Sequence, residues 1–268
     1  MQNENTLTMN TNDSDLNEKF SQEQSDNKLV RLIKSIVIND EPGKYVDESV
    51  IQFKFYNAFN YSFLSKEHEN IHLAFGVTGP RDGVGKTLVA CNLAVSLALG
   101  SQKETVLVDL NISHPRLHEI FGVPQSPGLA EAFFNGQIHV SRTAIENLSV
   151  LPVGNFMPFK EEKEMPFGIS GGELIQPVFK PSLGLNQLSA FRDVIYSLEQ
   201  EFDIVIVDMP SINNESVPVL FAKQLNGVIV VVDSGKTRRE ELDTMFRQLN
   251  ERQVLGFVLN RFDERLSS

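Results

Sequence analysis

One short stretch of the chain carries the residue types of a phosphate-binding loop. Residues 79–87 read GPRDGVGKT. Its glycines allow the backbone to bend so that N–H groups converge on phosphate oxygens. Lys86 is spaced to reach the β- and γ-phosphates of a nucleotide, and the Thr87 hydroxyl to ligate Mg²⁺. The residues predicted to contact the nucleotide here are Asp82, Gly83, Val84, Gly85, Lys86, Thr87 and Leu88.

The flanks of this loop support that interpretation. A strongly apolar run at 71–77 precedes it and another at 88–99 follows, which predicts a strand, a turn and a helix. A helix beginning near Lys86 adds the positive end of its dipole to the site. Pro80 stands where the usual motif has its first glycine, so a purely structural turn is the alternative.

Three further strand ends are expected to converge on the loop. Two apolar runs close on a carboxylate, at Asp109 and at Asp208. Together with Thr87, such carboxylates are suited to hold Mg²⁺, although each aspartate alone could instead cap a helix. The third run ends in Asn260 and Arg261, where the amide could pair with an adenine edge or serve a turn.

Regular alternation of strand and helix patterns positions these residues. The spacing predicts strands at 72–77, 105–109, 148–152, 203–208, 227–232 and 255–259, and helices at 86–99, 128–135, 186–200, 216–224 and 238–250. This order is typical of an α/β protein whose parallel sheet is covered by helices on both faces. Its ligands bind at the carboxyl ends of the strands.

The pattern divides the chain into three parts. Residues 1–27 are polar and are predicted to be a disordered tail. Residues 28–66 are predicted to be a helical arm, with an amphipathic helix at 28–38 that either packs on the domain or contacts a partner or membrane surface. Residues 67–268 form the predicted ATPase domain. It is interrupted by a loop at 155–185 that we interpret as a lid.

Composition excludes several classes of protein. The net charge of −11, without a basic patch, disfavours nucleic acid or an anionic bilayer as a ligand. The single cysteine, Cys91, cannot form an intramolecular disulfide, which fits a reducing cytoplasm. No run approaches the length of a membrane span.

Several runs in order resemble the bacterial tyrosine kinases (BY-kinases) of the MinD/ParA/Mrp group of P-loop ATPases. They read GVGKTLVACNLAVSLA, TVLVDLNISHPRLHEIFG, SPGLAEAF, ENLSVLPVG and EFDIVIVDMPS, and the resemblance extends over roughly residues 45–262. It implies the P-loop NTPase fold of the MinD/ParA type, with ATP or ADP and Mg²⁺ as cofactors. It also implies Lys86 and Thr87 as nucleotide and Mg²⁺ residues, Asp109 and Asp208 as metal and catalytic carboxylates, and Asn260 as the adenine contact.

The same resemblance implies a biological setting. BY-kinases work with integral-membrane polysaccharide co-polymerases in exopolysaccharide or capsule synthesis. It therefore implies a cytoplasmic protein, held at the inner face of the membrane through a partner, and a nucleotide-dependent homodimer or ring. Arg81 sits where the ParA/MinD group has its signature lysine, so it is a candidate catalytic finger acting across such an interface; a solvated loop arginine is the alternative.

The chain also departs from the BY-kinase pattern. Asn111 replaces the second acid of the Asp-x-Asp motif, and no tyrosine follows Tyr196, which falls inside a predicted core helix. We therefore expect a slow ATPase or degenerate kinase partner that does not efficiently phosphorylate itself. A ParA/MinD-like positioning ATPase and a nucleotide-binding scaffold without turnover remain as alternatives.

Overall fold

The computed structural model describes residues 35–39, 41–47, 49–51, 73–156, 183–212 and 217–262. Within them the strands are β1 Ser35–Asn39, β2 Leu73–Thr78, β3 Thr105–Asp109, β4 Gln137–Arg142, β5 Leu148–Leu151, β6 Ile204–Asp208, β7 Gly227–Asp233 and β8 Val254–Asn260. The α-helices are α1 Lys86–Gly100, α2 Leu117–Phe121, α3 Leu129–Asn135, α4 Leu188–Glu201, α5 Val217–Ala222 and α6 Arg239–Gln248. Short 3₁₀ turns lie at Leu185–Gln187 and Glu251–Gln253.

The described strands form one sheet in the order β1-β4-β5-β3-β6-β2-β7-β8. All neighbours are parallel except β4 and β5, which are antiparallel, so β1 and β4 run against the other six strands. The strand β2 that leads into the phosphate loop lies between β6 and β7. In the pairing of β3 with β6, Asp109 lies directly opposite Asp208. The two carboxylates, which were predicted from separate motifs, therefore lie side by side at the carboxyl ends of neighbouring strands.

Both faces of the central strands β2, β3, β6 and β7 are buried, which explains why these strands are mainly apolar. Alternate residues of each central strand enter two different cores, as the two-residue period of a strand requires. One core contains Phe75, Leu107 and Ile206 under α1. The other contains Val205 and its neighbours under α3, α4 and α5. Helix α1 is buried along almost its whole length, which makes it a firm support for the loop that precedes it.

The six predicted strands and five predicted helices are all confirmed, with ends shifted by one or two residues. The sequence reading missed β4, whose polar residues His139 and Ser141 break the apolar run, and the five-residue α2. Tyr196 lies inside a helix that packs on the core, as predicted, but on the solvent side of α4, with 54% of its surface exposed.

The helix predicted at 28–38 is wrong for the residues that are described. Ser35–Asn39 is a strand that pairs in parallel with β4. The consecutive β-branched residues Ile36, Val37 and Ile38 favour this extended conformation over a helix. The tail at 1–27, most of the arm and most of the 155–185 loop lie outside the described residues.

The segment after β1 packs on the domain instead of extending from it. The Gly43 amide donates to the Arg142 carbonyl, and the Asp47 amide donates to the Ile120 carbonyl. The buried Asn92 side chain of α1 donates to the Val50 carbonyl at 2.8 Å. Val50 is therefore tied to the helix that begins at the phosphate loop, and Gly43 and Asp47 are tied to other parts of the domain.

Candidate nucleotide-binding site

The loop between β2 and α1 has the backbone conformation that its glycines permit. Gly83 and Gly85 have φ values of 77° and 98°, a region that side-chain-bearing residues rarely adopt. Between them the Val84 side chain is fully buried in the core under α1. Val84 therefore anchors the loop, and any contact with a nucleotide would come from its backbone.

Lys86, the first residue of α1, is 5% exposed and points back into the loop. Its Nζ donates to Asp82 Oδ1 at 3.1 Å and to the Arg81 carbonyl at 3.4 Å. The same Asp82 oxygen accepts a 2.7 Å hydrogen bond from Ser211 Oγ, in the segment after β6. Burial alone would raise the pKa of Asp82, but the Ser211 hydrogen bond and the Lys86 charge outweigh it and lower the pKa.

The next side chain, Thr87, joins the loop to β6. Its Oγ1 donates to Asp208 Oδ2 at 2.7 Å. Asp208 Oδ1 is buried and accepts no hydrogen bond from the part of the chain that the structure describes. Burial raises the pKa of Asp208 to about 6, although the Thr87 hydrogen bond and the Lys86 charge act in the opposite direction. This carboxylate thus has an oxygen available for a cation.

Asp109, opposite Asp208, is differently placed. Its Oδ1 accepts the Asn111 amide at 3.1 Å, and its Oδ2 accepts the amides of Arg116 and Leu117, each at 3.2 Å. Burial and then the neighbouring Asp208 charge raise its pKa well above the usual range. Both Asp109 oxygens therefore stabilise the turn that leads into α2. This is similar to the helix-capping role that the sequence left open as an alternative for Asp109.

Asn260, at the end of β8, lies against the phosphate loop. Its Nδ2 donates to the Val84 carbonyl at 2.8 Å, and its Oδ1 accepts the Arg261 amide at 3.0 Å. A Cβ atom on Gly85 would overlap Asn260 Nδ2, so the absence of a side chain at position 85 leaves room for the Asn260 amide. These contacts make Asn260 a brace of the loop; its contact with adenine stays a prediction.

The sequence reading missed a third buried carboxylate, Asp233 at the end of β7. It is 2% exposed, and its Oδ2 accepts Arg261 Nη1 at 2.6 Å and Arg81 Nη2 at 3.5 Å. Arg81 Nε also lies 3.8 Å from Glu241 Oε2 of α6. The signal was present, because β7 is an apolar run that closes on aspartate just as β3 and β6 do. Arg81 is thus paired within its own chain and is not a free loop side chain.

The donor set fits Mg²⁺ better than a metal that needs a full set of protein ligands. No group of three or more histidine, cysteine, aspartate or glutamate side chains suited to a metal occurs in the described ranges. Mg²⁺ at nucleotide sites needs only one or two protein oxygens, with phosphates and water completing its shell. The Thr87 hydroxyl and the uncommitted Asp208 oxygen meet that requirement.

Comparison with known proteins agrees with this geometry. A family described as the CobQ/CobB/MinD/ParA nucleotide binding domain matches residues 75–268, more than half of the chain. The chain belongs to this family. The family match thus includes the phosphate loop, both paired aspartates and Asn260, and it establishes a nucleotide-binding domain of the MinD/ParA type.

Individual relatives carry kinase names. The putative tyrosine-protein kinase CapB of Staphylococcus aureus is 24% identical over 234 residues, which cover 85% of this chain and 90% of CapB. The tyrosine-protein kinase CpsD of Streptococcus pneumoniae serotype 4 is 27% identical over 194 residues, which cover 70% of this chain and 75% of CpsD. The tyrosine-protein kinase ptk of Acinetobacter johnsonii is 26% identical over 190 residues, but the match spans only 23% of that protein.

Solved structures share the fold. The chimerical protein CapA2B2 superposes with a TM-score of 0.63 at 21% identity, covering 90% of this chain and 99% of that one. The septum site-determining protein MinD complexed with Mg-ADP, from Pyrococcus horikoshii, has a TM-score of 0.53 at 18% identity and covers 73% of each chain. The fold is therefore the P-loop architecture that CapA2B2 shares with MinD. No helix in the described ranges is long and apolar enough to cross a membrane.

Proposed function

We propose that the protein binds ATP and ADP with Mg²⁺ at the loop before α1 and hydrolyses ATP slowly. The observation that carries the proposal is the Thr87–Asp208 hydrogen bond of 2.7 Å, which joins the end of the phosphate loop to a buried strand-end carboxylate. In a P-loop site this pair is where the nucleotide's metal ion is held. The metal would supply positive charge against the phosphate oxygens.

Each residue of the site has a distinct proposed role. The loop amides and Lys86 bind the phosphates, with the α1 N-terminus adding its dipole. Thr87 and the uncommitted oxygen of Asp208 would hold the metal. Asn260 donates to the Val84 carbonyl and so stabilises the conformation of the loop. Asp109 fixes the turn before α2 beside the site.

The names of the relatives support a role in capsule or exopolysaccharide synthesis. CapB and CpsD are named as tyrosine-protein kinases, and both match most of their length. We propose that this protein works with a membrane-anchored polysaccharide co-polymerase, either as its ATPase or as a degenerate kinase. The proposal is tested by co-purification with the co-polymerase's cytoplasmic segment.

The proposed nucleotide binding is tested by replacing Lys86, the residue whose positive charge would balance the phosphates. Lys86→Ala should weaken Mg-ADP binding by about 100-fold, since truncating one member of a buried charge pair costs several kcal/mol. Isothermal titration calorimetry measures the affinity. Lys103→Ala is the matched control, because Lys103 precedes β3 at the opposite end of the strands. Equal affinities in all three proteins would contradict the site assignment.

A scaffold that binds nucleotide without turnover is the second candidate. It is favoured by Asp109, whose two oxygens are occupied by backbone amides, and by Asn111 in place of a second acid. An amide cannot act as a general base. Phosphate release during ATP incubation, compared between wild type and Lys86→Ala, separates the candidates: a Lys86-dependent rate supports the ATPase, and no such rate supports the scaffold.

A further inference from the structure

Within the phosphate loop, a carboxylate of the chain already neutralises the lysine that should bind phosphate. We propose that Asp82 sets the nucleotide affinity of the site by competing for Lys86, so that phosphates bind at full strength only when the Asp82 carboxylate moves away. This inference rests on the proposed nucleotide function and concerns the regulation of that same site.

The competition follows from the donors that Lys86 has. An ammonium group donates three hydrogen bonds. Two of them are directed to Asp82 Oδ1 and to the Arg81 carbonyl. A phosphate at the β or γ position needs the same ammonium as its charge partner. Asp82 lies four residues before Lys86 in the loop itself, so its carboxylate and a phosphate would repel each other if both remained there.

The two partners differ in their exposure, which makes exchange feasible. The Lys86 side chain is 5% exposed and the Asp82 side chain is 71% exposed. A buried ammonium needs a negative partner at all times, because an unpaired buried charge is costly. An exposed carboxylate regains water when it leaves. The loop can therefore exchange one anion for another without leaving Lys86 unpaired.

A second contact holds Asp82 in the competing position. Ser211 is 5% exposed, and its Oγ donates to the same Asp82 oxygen at 2.7 Å. Ser211 follows the β6 strand end that carries Asp208, and the next amide, of Ile212, donates to the Gly79 carbonyl at 2.9 Å. Displacing Asp82 thus also breaks a link between the phosphate loop and the segment after β6.

The direct test is charge removal at Asp82. Asp82→Asn should tighten Mg-ADP binding by about fivefold, the upper range for an ion pair with one exposed member. Ser211→Ala should tighten binding to a smaller extent, since it removes one of the two contacts on Asp82. Glu104→Gln is the matched control: it removes the same charge from an exposed side chain before β3, at the opposite end of the strands, and should leave affinity unchanged.

Thermal melting gives an independent readout. Without nucleotide, Asp82→Asn should melt at a lower temperature than wild type, because buried Lys86 has lost its charged partner. With saturating Mg-ADP the difference should vanish, so the nucleotide-induced rise in melting temperature is larger in the variant. Wild type and Glu104→Gln should show equal rises.

The outcomes separate this inference from the proposed function. If wild type binds Mg-ADP through Lys86 but Asp82→Asn binds equally or more weakly, the competition is overturned and the nucleotide site stands. If wild type binds no better than Lys86→Ala, both are overturned, because competition requires a phosphate on Lys86. Tighter binding by Asp82→Asn together with the larger melting shift supports the inference.

Discussion

At the scale of single residues, the two facing aspartates are chemically alike but differently committed. The two oxygens of Asp109 accept hydrogen bonds from three backbone amides. One buried oxygen of Asp208, by contrast, accepts no hydrogen bond from the described residues. Identical side chains at paired strand ends therefore separate into a structural group and a group available to a cation. This division is set by what surrounds each carboxylate.

The difference predicts opposite results for the same substitution. Asp208→Asn should reduce the Mg²⁺-dependent part of ADP affinity by about tenfold, with little loss of thermal stability, because a buried charge is removed. Asp109→Asn should instead destabilise the fold by about 1–3 kcal/mol, since the new NH₂ group would face backbone N–H donors. Calorimetric titrations with and without EDTA, and thermal melts, measure the two effects. Equal behaviour of the variants would contradict the division.

The loop motif fixes the spacing of Lys86 and Thr87, and the apolar run that closes on Asp208 predicts a strand-end carboxylate; the structure brings Thr87 and Asp208 into contact. Motif spacing could not show that Asp82 pairs with Lys86 or that Ser211 joins them. Those contacts depend on side-chain rotamers and on a segment more than a hundred residues away in sequence. Asp233 could have been found, since its apolar run closes as the other two do.

At the scale of elements, Glu131 joins the start of α3 to the exit of β5. Its Oε2 accepts the Gly128 amide at 2.7 Å, and its Oε1 accepts Ser126 Oγ at 2.7 Å and the Asn155 amide at 3.2 Å. Burial alone would raise the pKa of Glu131, but these hydrogen bonds outweigh it and lower the pKa from 4.5. One carboxylate thus holds the turn before α3 to the segment after β5.

The lowered pKa predicts an acid-dependent loss of stability. The Glu131 contribution should be fully present above about pH 4.5 and should be lost as pH falls through the folded-state pKa, because the unfolded chain then binds the proton more readily. Glu131→Gln should melt below wild type at pH 7, with the difference shrinking below about pH 4. Thermal melts over this range measure it, with Glu146→Gln as the exposed control. A difference in melting temperature between wild type and Glu131→Gln that does not change with pH would contradict the stabilising role of the ionised Glu131 carboxylate.

The elements themselves were predictable wherever burial was complete. The central strands β2, β3, β6 and β7 are apolar apart from threonine or aspartate at their ends, because both of their faces are covered. The edge strand β1 was misread because Ile36 and Val37 continue a helical spacing from the preceding residues. Its partner β4 lacks a continuous apolar run and was missed, although Ile138 and Val140 alternate with polar residues as in a half-buried strand. The local sequence of a strand does not determine which other strand it pairs with in the sheet.

At the scale of the whole molecule, the position of Arg81 bears on assembly. Asp233 and Glu241 hold its guanidinium within the chain, at 3.5 and 3.8 Å. A catalytic role across an interface between two copies would require Arg81 to exchange these acids for a phosphate of the neighbouring copy. About one third of its side chain is exposed, which gives such a neighbour access.

The assembly proposal predicts a larger species in nucleotide. With a non-hydrolysable ATP analogue and Mg²⁺, light scattering should show a dimer or ring that is absent without nucleotide. If Arg81 serves a neighbouring copy, Arg81→Ala should lower turnover with little change in the affinity of a single chain for ADP, because its charge would act across the interface. Arg252→Ala, an exposed arginine just before β8, is the control. A monomer under all conditions would count against the role of Arg81.

The pairing of β1 with β4 has a consequence for synthesis of the chain. Ser35 pairs with Gln137, so β1 leaves the ribosome on the order of 100 residues before its partner exists, a delay of about 5–20 s at usual elongation rates. In that interval the consecutive residues Ile36, Val37 and Ile38 offer an unpaired β-prone segment to other nascent chains. The charged residues Lys34 and Asp40 stand on either side of it, where gatekeeper residues oppose aggregation until β4 emerges.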